Sequence, residues 1–217
     1  MTAPPSGDPA SPPPQGQTMP SLRIAAATLG LLLSAPTLAG EQGPLPLPEA
    51  VPAPSLFAGH FQLATPDGVR VDSDELAGNP YGIFFGFTQC PDVCPTTLSN
   101  LSTALARLPK ESVRVYFVSV DPERDAPLVL AQYMANFDPR IVALTGTRKA
   151  VEEAVASFGA VARRTDLPTG GYAYSHTAAI MLVNGDGLIV DRMMAEDGPD
   201  AMAARLAALQ RAAAPSR

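Results

Sequence analysis

The pattern of apolar residues divides the chain at about residue 59. Residues 1–58 are rich in Pro, Ala, Gly and Ser and show no sustained apolar period, so we do not expect them to belong to a core. Residues 59–211 alternate short β-rich runs with helical runs rich in Ala and Leu, over a length typical of one domain. We therefore expect a single globular domain at 59–211.

Several short apolar runs predict the strands of this domain. The run Gly59–Val71 alternates apolar and polar residues around a Pro-Asp-Gly turn and predicts a β-hairpin. The runs Tyr81–Phe87 and Val113–Val120 are almost continuously apolar, as strands buried on both faces are. Further strands are predicted at Ile141–Leu144, Ala178–Val183 and Leu188–Val190, the last two joined by an Asn-Gly-Asp-Gly turn.

Between the strands, apolar residues three and four apart predict helices. Leu98, Leu101, Leu105 and Leu108 follow this spacing. Further helices are predicted at Pro127–Phe137, Arg148–Phe158 and Pro199–Arg211, and a loop at Thr165–Tyr174. The order β-β-α-β-α-β-α-β-β-α favours an α/β, thioredoxin-like fold: a central mixed sheet flanked by helices, with an added N-terminal β-hairpin.

The N-terminal region contains a pattern typical of export. Residues 1–18 are Pro-rich without a targeting pattern, so we expect disorder there, or a true start at Met19. Residues 19–39 combine a basic residue, a short apolar run and Thr-Leu-Ala, which predicts a signal peptide or a membrane anchor. Cleavage is favoured, because Pro36 interrupts a run shorter than the roughly twenty residues that span a bilayer. Residues 40–58 read as a Pro-rich linker, and no Cys near the cleavage point would accept a lipid.

The charge of the chain argues against one class of partner. The formal net charge is -6 and the isoelectric point is about 4.8. Phosphate binding needs a basic face. We therefore expect no nucleic-acid partner.

The two cysteines of the chain, Cys90 and Cys94, flank Pro-Asp-Val between a predicted strand and a predicted helix. Two thiolates at this spacing suit copper, but the same spacing permits a redox-active disulfide. Because Pro95 follows Cys94, we expect the helix to start at Pro95, with the pKa of Cys94 lowered at the helix N-terminus. A purely structural disulfide is disfavoured, since it would close only a three-residue loop.

A copper site with two cysteines needs a third ligand, and His60 and His176 are the candidates by residue type. His176 precedes a predicted core strand that a thioredoxin-like fold brings beside the cysteine turn, so we predict that His176 is the ligand. His60 opens an outer hairpin strand and is predicted to be ordinary surface. A structural zinc site would normally need a fourth protein ligand.

Three segments together resemble the Sco/SenC family. They are Phe84–Thr97 with the cysteine motif, Val118–Asp125, and Ser175-His176 ahead of the strand 180–183. The resemblance covers residues 59 to about 208. It implies a thioredoxin-like fold, one copper, Cu(I) or Cu(II), held by Cys90, Cys94 and His176, and a role in building the binuclear copper centre of cytochrome c oxidase subunit II.

Asp121 and Asp125 match the Asp-Pro-x-x-Asp segment of that family. The resemblance implies that they support the metal site or face a partner. The alternative interpretation is that Asp125 caps the helix that begins near Pro127.

Three functions remain open for these residues. The first is a copper metallochaperone, exported and periplasmic or attached to the inner membrane through residues 24–39, which takes copper from a periplasmic donor and serves cytochrome c oxidase subunit II. The second is a thiol-disulfide reductase with Cys90 and Cys94 as its redox pair. The third, a peroxide-reducing relative, is disfavoured because the nearest basic residues, Arg107 and Lys110, lie far along the helix.

Overall fold

Nine strands and four helices form residues 59–213, the part of the chain that the computed structural model describes. The strands are β1 (Gln62–Ala64), β2 (Arg70–Asp72), β3 (Tyr81–Gly86), β4 (Arg114–Ser119), β5 (Ile141–Leu144), β6 (Ala162–Asp166), β7 (Tyr172–His176), β8 (Ile180–Val183) and β9 (Ile189–Met193). The helices are α1 (Val93–Ala106), α2 (Pro127–Met134), α3 (Arg148–Ser157) and α4 (Gly198–Ala213), and short 3-10 helices lie at Ser73–Leu76 and Ala195–Asp197.

Five of these strands form the central sheet, in the order β5-β4-β3-β8-β9. Strands β3, β4 and β5 are parallel, whereas β8 pairs antiparallel with β3 and with β9. The predicted central mixed sheet is therefore confirmed. The two predicted hairpins are also present, as the separate pair β1-β2 and as the β8-β9 edge of the sheet.

The two faces of the sheet carry separate cores, because successive side chains of a strand point to opposite faces. On β3, Phe84 belongs to the core that contains Leu101 of α1 and Leu206 of α4. Phe85, its neighbour, belongs to the opposite core, which contains Val151 of α3. Both faces are covered, and all six residues of β3 are buried. The cysteine motif therefore follows a strand that is buried along its whole length.

The structure differs from the sequence predictions at four elements. Strand β9 continues to Met193, three residues beyond its predicted end. Helix α1 begins at Val93, not at Pro95, and α2 ends at Met134, short of Phe137. Pro95 is accommodated in the first turn of α1, where its missing N–H would have no intrahelical partner. The segment predicted as a loop at 165–174 is instead largely the antiparallel hairpin β6-β7, whose turn contains Gly170 and Gly171 at positive φ.

The predicted export segment and Pro-rich linker lie at residues 1–58, outside the described residues. Within residues 59–213, no helix combines the length and the apolar character needed to cross a membrane.

Candidate metal centre

The cysteine loop joins the carboxyl end of β3 to the first turn of α1. Cys90 is half-buried in the loop, and Cys94 is fully buried inside the helix. Gly86, the last residue of β3, leaves room for the second sulfur: a Cβ there would lie 2.9 Å from Cys94 Sγ and 2.6 Å from the ring of Phe117. A side chain at position 86 would therefore displace the sulfur.

Three soft or borderline ligand atoms converge at this point. His176 Nε2 lies 3.4 Å from Cys94 Sγ and 4.0 Å from Cys90 Sγ, and all three ligand atoms lie within 4.8 Å of one another. Metal–sulfur bonds of about 2.3 Å and metal–nitrogen bonds of about 2.0 Å place ligand atoms roughly 3.5–4 Å apart around one ion. Small side-chain movements would therefore bring the three atoms onto a single metal ion.

His176 is oriented by the backbone carbonyl of the next residue and by two aromatic rings. Its Nδ1 lies 3.1 Å from the carbonyl oxygen of Thr177, so a proton on Nδ1 donates to that carbonyl. This tautomer leaves the lone pair of Nε2 directed at the sulfurs, as a metal-binding imidazole requires. Phe84 and Phe87 pack edge-on against the ring, at centroid distances of 6.2 and 5.6 Å.

Burial favours the uncharged forms of Cys94 and His176. It raises the pKa of the Cys94 thiol, an effect that the Phe87 N–H only partly offsets, and it lowers the pKa of His176. The expectation of a lowered pKa at Cys94 is therefore wrong, because the sulfur lies in the apolar core, where desolvation outweighs the helix N-terminus. The N–H of Cys94 instead donates to Cys90 Sγ, at 3.4 Å. A metal ion must therefore displace a proton from Cys94 to bind.

Asp125 anchors the segment that leads to Cys90. Its buried carboxylate accepts hydrogen bonds from the N–H of Thr88 (3.0 Å), the hydroxyl of Thr88 (2.6 Å) and the hydroxyl of Ser119 (2.6 Å). The capping interpretation is wrong, because the residue that caps α2 is Ala126 and no side chain bonds to that helix end. Asp125 therefore fixes the backbone two residues before the first cysteine.

Asp125→Asn is expected to weaken copper binding about 10- to 100-fold, the usual range when a group that supports a metal ligand is lost. An amide nitrogen facing three donors leaves at least one of them unsatisfied, so the free energy of unfolding should fall by about 1–3 kcal/mol. The measurements are copper competition titrations and urea unfolding of the metal-free protein. Asp92→Asn removes the same charge from the exposed N-cap position of α1, where the side chain makes no capping hydrogen bond, and should have a much smaller effect on both. Equal effects of the two variants would contradict the anchoring role.

Asp121 supports the other segment of the site. It is fully buried and bonds to the side chain of Arg124 and to the hydroxyl of Tyr172, the latter at 2.9 Å. Arg124 also donates to the carbonyl of Tyr172 at 2.9 Å, and its guanidinium lies 3.9 Å from the centre of the Tyr172 ring. These contacts hold β7, the strand that ends at His176.

His60 is not part of the cysteine cluster. It is exposed, and its Nδ1 lies 3.2 Å from an Asp74 carboxylate oxygen and 3.0 Å from the hydroxyl of Ser73. Asp72 lies in the same group, but its carboxylate already accepts from Arg70 and from the N–H of Asp74. Of the two histidines, only His176 is brought to the cysteines.

The structure brings the three predicted ligands together and adds supports that sequence reasoning missed. Within residues 59–213, no fourth His, Cys, Asp or Glu joins the cluster, and a site of two sulfurs and one imidazole suits copper better than a closed zinc site. Gly86 had a sequence signal, since glycine inside an apolar strand often marks a close approach. Thr88 and Tyr172 had none, because their partners lie 37 and 51 residues away along the chain.

The fold and a similar solved structure define the class of protein. The chain has a thioredoxin-like fold with a candidate copper site: it superposes on the solved structure of Bradyrhizobium japonicum ScoI with copper bound, at 37% identity and a TM-score of 0.65, covering 70% of this chain and 99% of that one. Copper, the predicted metal, is thus the metal in a related structure.

The family follows from the sequence. The SCO1/SenC family model matches residues 49–211, and the chain belongs to that family. An SCO2-like protein of Rickettsia felis is 31% identical over 147 residues, which cover 66% of this chain and 72% of the relative. Another structural relative, BsSco, is described as having a disulfide switch and as a member of the Sco family of cytochrome c oxidase assembly proteins. It is 25% identical, with a TM-score of 0.58, and the match covers 77% of this chain and 100% of BsSco.

Proposed function

We propose that this protein binds one copper ion through Cys90, Cys94 and His176 and delivers it to the binuclear copper centre of cytochrome c oxidase subunit II. The observation that carries the proposal is the convergence of the three ligand atoms within 4.8 Å. The copper-bound ScoI structure and the description of the Sco family as oxidase assembly proteins support it.

The unequal burial of the ligands suits transfer by ligand exchange. Cys90 and His176 are half-buried, whereas Cys94 is fully buried. Incoming ligands of the acceptor can replace the first two while the buried sulfur still holds the ion. Cys94 would therefore be the last ligand to release copper, and the ion would pass without being free in solution.

The compartment of this function follows from the N-terminal sequence. Residues 19–39 predict export, so the carrier would work in the periplasm, or at the outer face of the cytoplasmic membrane if residues 24–39 remain as an anchor. It would then receive copper from another periplasmic protein.

A second function is favoured by the state of the cysteines. Both are free thiols, and their sulfurs are close enough for a small movement to join them. In a reductase cycle, Cys90 and Cys94 would give two electrons and two protons to a disulfide of the acceptor and form their own disulfide. A dithiol protein of the thioredoxin class would then have to reduce that disulfide.

Complementation of a deletion strain separates the two functions. We expect the strain to lose oxidase assembly at limiting copper and to recover when copper is added. His176→Ala keeps both cysteines, so it should fail as a carrier at limiting copper although a reductase would still work. Three results together would instead identify the reductase as the function. Added copper would not restore oxidase assembly, a membrane-permeant thiol would restore it, and His176→Ala would complement the deletion fully.

A further inference from the structure

Tyr133 on α2 has a buried hydroxyl group without a partner. Its oxygen is inaccessible to solvent and finds no hydrogen-bond partner among residues 59–213. A buried polar atom that is left unpaired destabilises a fold, so this hydroxyl calls for an explanation.

The Tyr133 ring packs on the same side of the sheet as the buried cysteine. Tyr133 packs against the core that contains Cys94 and Phe117, with its ring centre 6.1 Å from that of Phe117 and 5.4 Å from that of Phe137. Phe117 and Cys94 Sγ both border the same side of Gly86. Tyr133 therefore lies on the sheet face that carries the buried sulfur and packs against the same core.

The electrostatics of Tyr133 agree with this position. Burial raises the pKa of Tyr133, and its neighbours Cys94, Cys90 and Asp125 raise that pKa further, in that order. The phenol is therefore within electrostatic range of both cysteines and of Asp125. Asp125 already accepts three hydrogen bonds from Thr88 and Ser119. Cys90 Sγ accepts only the N–H of Cys94, and Cys94 only the N–H of Phe87, so a metal-bound sulfur has room for a further donor.

We propose that Tyr133 is a positioning residue of the metal centre, whose hydroxyl donates a hydrogen bond to a metal-bound sulfur of the Cys90–Cys94 pair. The inference rests on the proposed copper-binding function. A neutral thiol is a weak acceptor, whereas a metal-bound thiolate carries the charge that makes a strong one. The hydroxyl is thus unpaired in the metal-free protein and paired in the metal-bound protein, which couples the α2 segment to metal occupancy.

This hydrogen bond would tune the bound metal. Donation to a thiolate withdraws electron density from sulfur, which raises the energy of the sulfur-to-Cu(II) charge-transfer transition and favours Cu(I) over Cu(II). Both effects can be measured without any assay of copper delivery.

Tyr133→Phe tests the inference because it removes only the oxygen atom. We expect the metal-free, reduced variant to have an unchanged or higher Tm. With copper, it should still bind one ion, but its charge-transfer band should move to longer wavelength and its Cu(II)/Cu(I) potential should fall. Tyr116→Phe is the control, since Tyr116 is a buried tyrosine of the opposite core and should leave the band and the potential unchanged.

The outcomes are distinguishable from failure of the proposed function. If wild-type protein binds no copper, the copper-binding function is wrong. If wild-type protein and Tyr133→Phe bind one copper with the same band and potential, only the role of Tyr133 is overturned. A lower Tm of the metal-free variant would also overturn it, because the hydroxyl would then be paired without metal.

Discussion

Cys94→Ser is expected to lower the affinity for copper by roughly a thousandfold or more, which corresponds to about 4 kcal/mol or more of binding free energy. A serine hydroxyl is a hard, neutral ligand and cannot replace a thiolate on a soft ion. Cys90→Ser should have a similar effect, because two ligands would remain in each variant. Competition with a Cu(I) chelator measures both losses.

The two serine variants should differ in stability. Cys94 is fully buried in the core between α1 and the sheet, whereas Cys90 is only half-buried. A hydroxyl at position 94 must be desolvated, so the metal-free Cys94→Ser variant should lose about 1–2 kcal/mol of unfolding free energy. Cys90→Ser should lose less, and urea unfolding measures the difference. Full copper stoichiometry and an unchanged spectrum in either variant would contradict the ligand assignment.

His176→Ala is expected to separate the two oxidation states of copper. Loss of the imidazole should weaken Cu(II) binding by roughly a hundredfold or more, equivalent to about 3 kcal/mol, because nitrogen is a borderline donor that matters most to the harder ion. Cu(I) binding should fall less, since two thiolates can hold that ion alone. The contacts of His176 with Phe84 and Phe87 also disappear, so unfolding must be measured beside binding.

The matched control for this prediction is His60→Ala. His60 is exposed and bonds to Asp74 and Ser73, not to the cysteines. Its removal should leave the visible spectrum and both copper affinities unchanged. If His60→Ala lost Cu(II) while His176→Ala kept it, the third ligand would have to be reassigned.

The sequence alone predicted the elements whose apolar pattern reflects burial. Strands β3 and β4 stand out as apolar runs because both faces of the central sheet are covered, and the leucines of α1 repeat at the helical period because one face packs on that sheet. The cysteine motif between them was equally visible, because its ligands are four residues apart on one turn. These features depend on local sequence.

The tertiary structure alone decided the hairpin β6-β7. Most of its side chains are exposed, so the sequence has no apolar pattern that predicts these two strands. Contacts of Tyr172 with Asp121 and Arg124, which lie 51 and 48 residues earlier in the chain, hold it in place. The sequence alone therefore predicted only a loop before His176, whereas the structure places His176 at the end of strand β7.

The chemical environment of the site was likewise decided by tertiary contacts. Residue order placed Cys94 at a helix N-terminus, but packing against the sheet buries its sulfur and raises its pKa. Residue order also suggested that Asp125 caps a helix. Its carboxylate instead accepts a hydrogen bond from Thr88, which is 37 residues away along the chain. Sequence therefore determined which atoms are available as ligands, because residue type and local spacing are properties of the sequence itself. Burial and long-range hydrogen bonds decided how those atoms are held, because they exist only once distant segments have packed together.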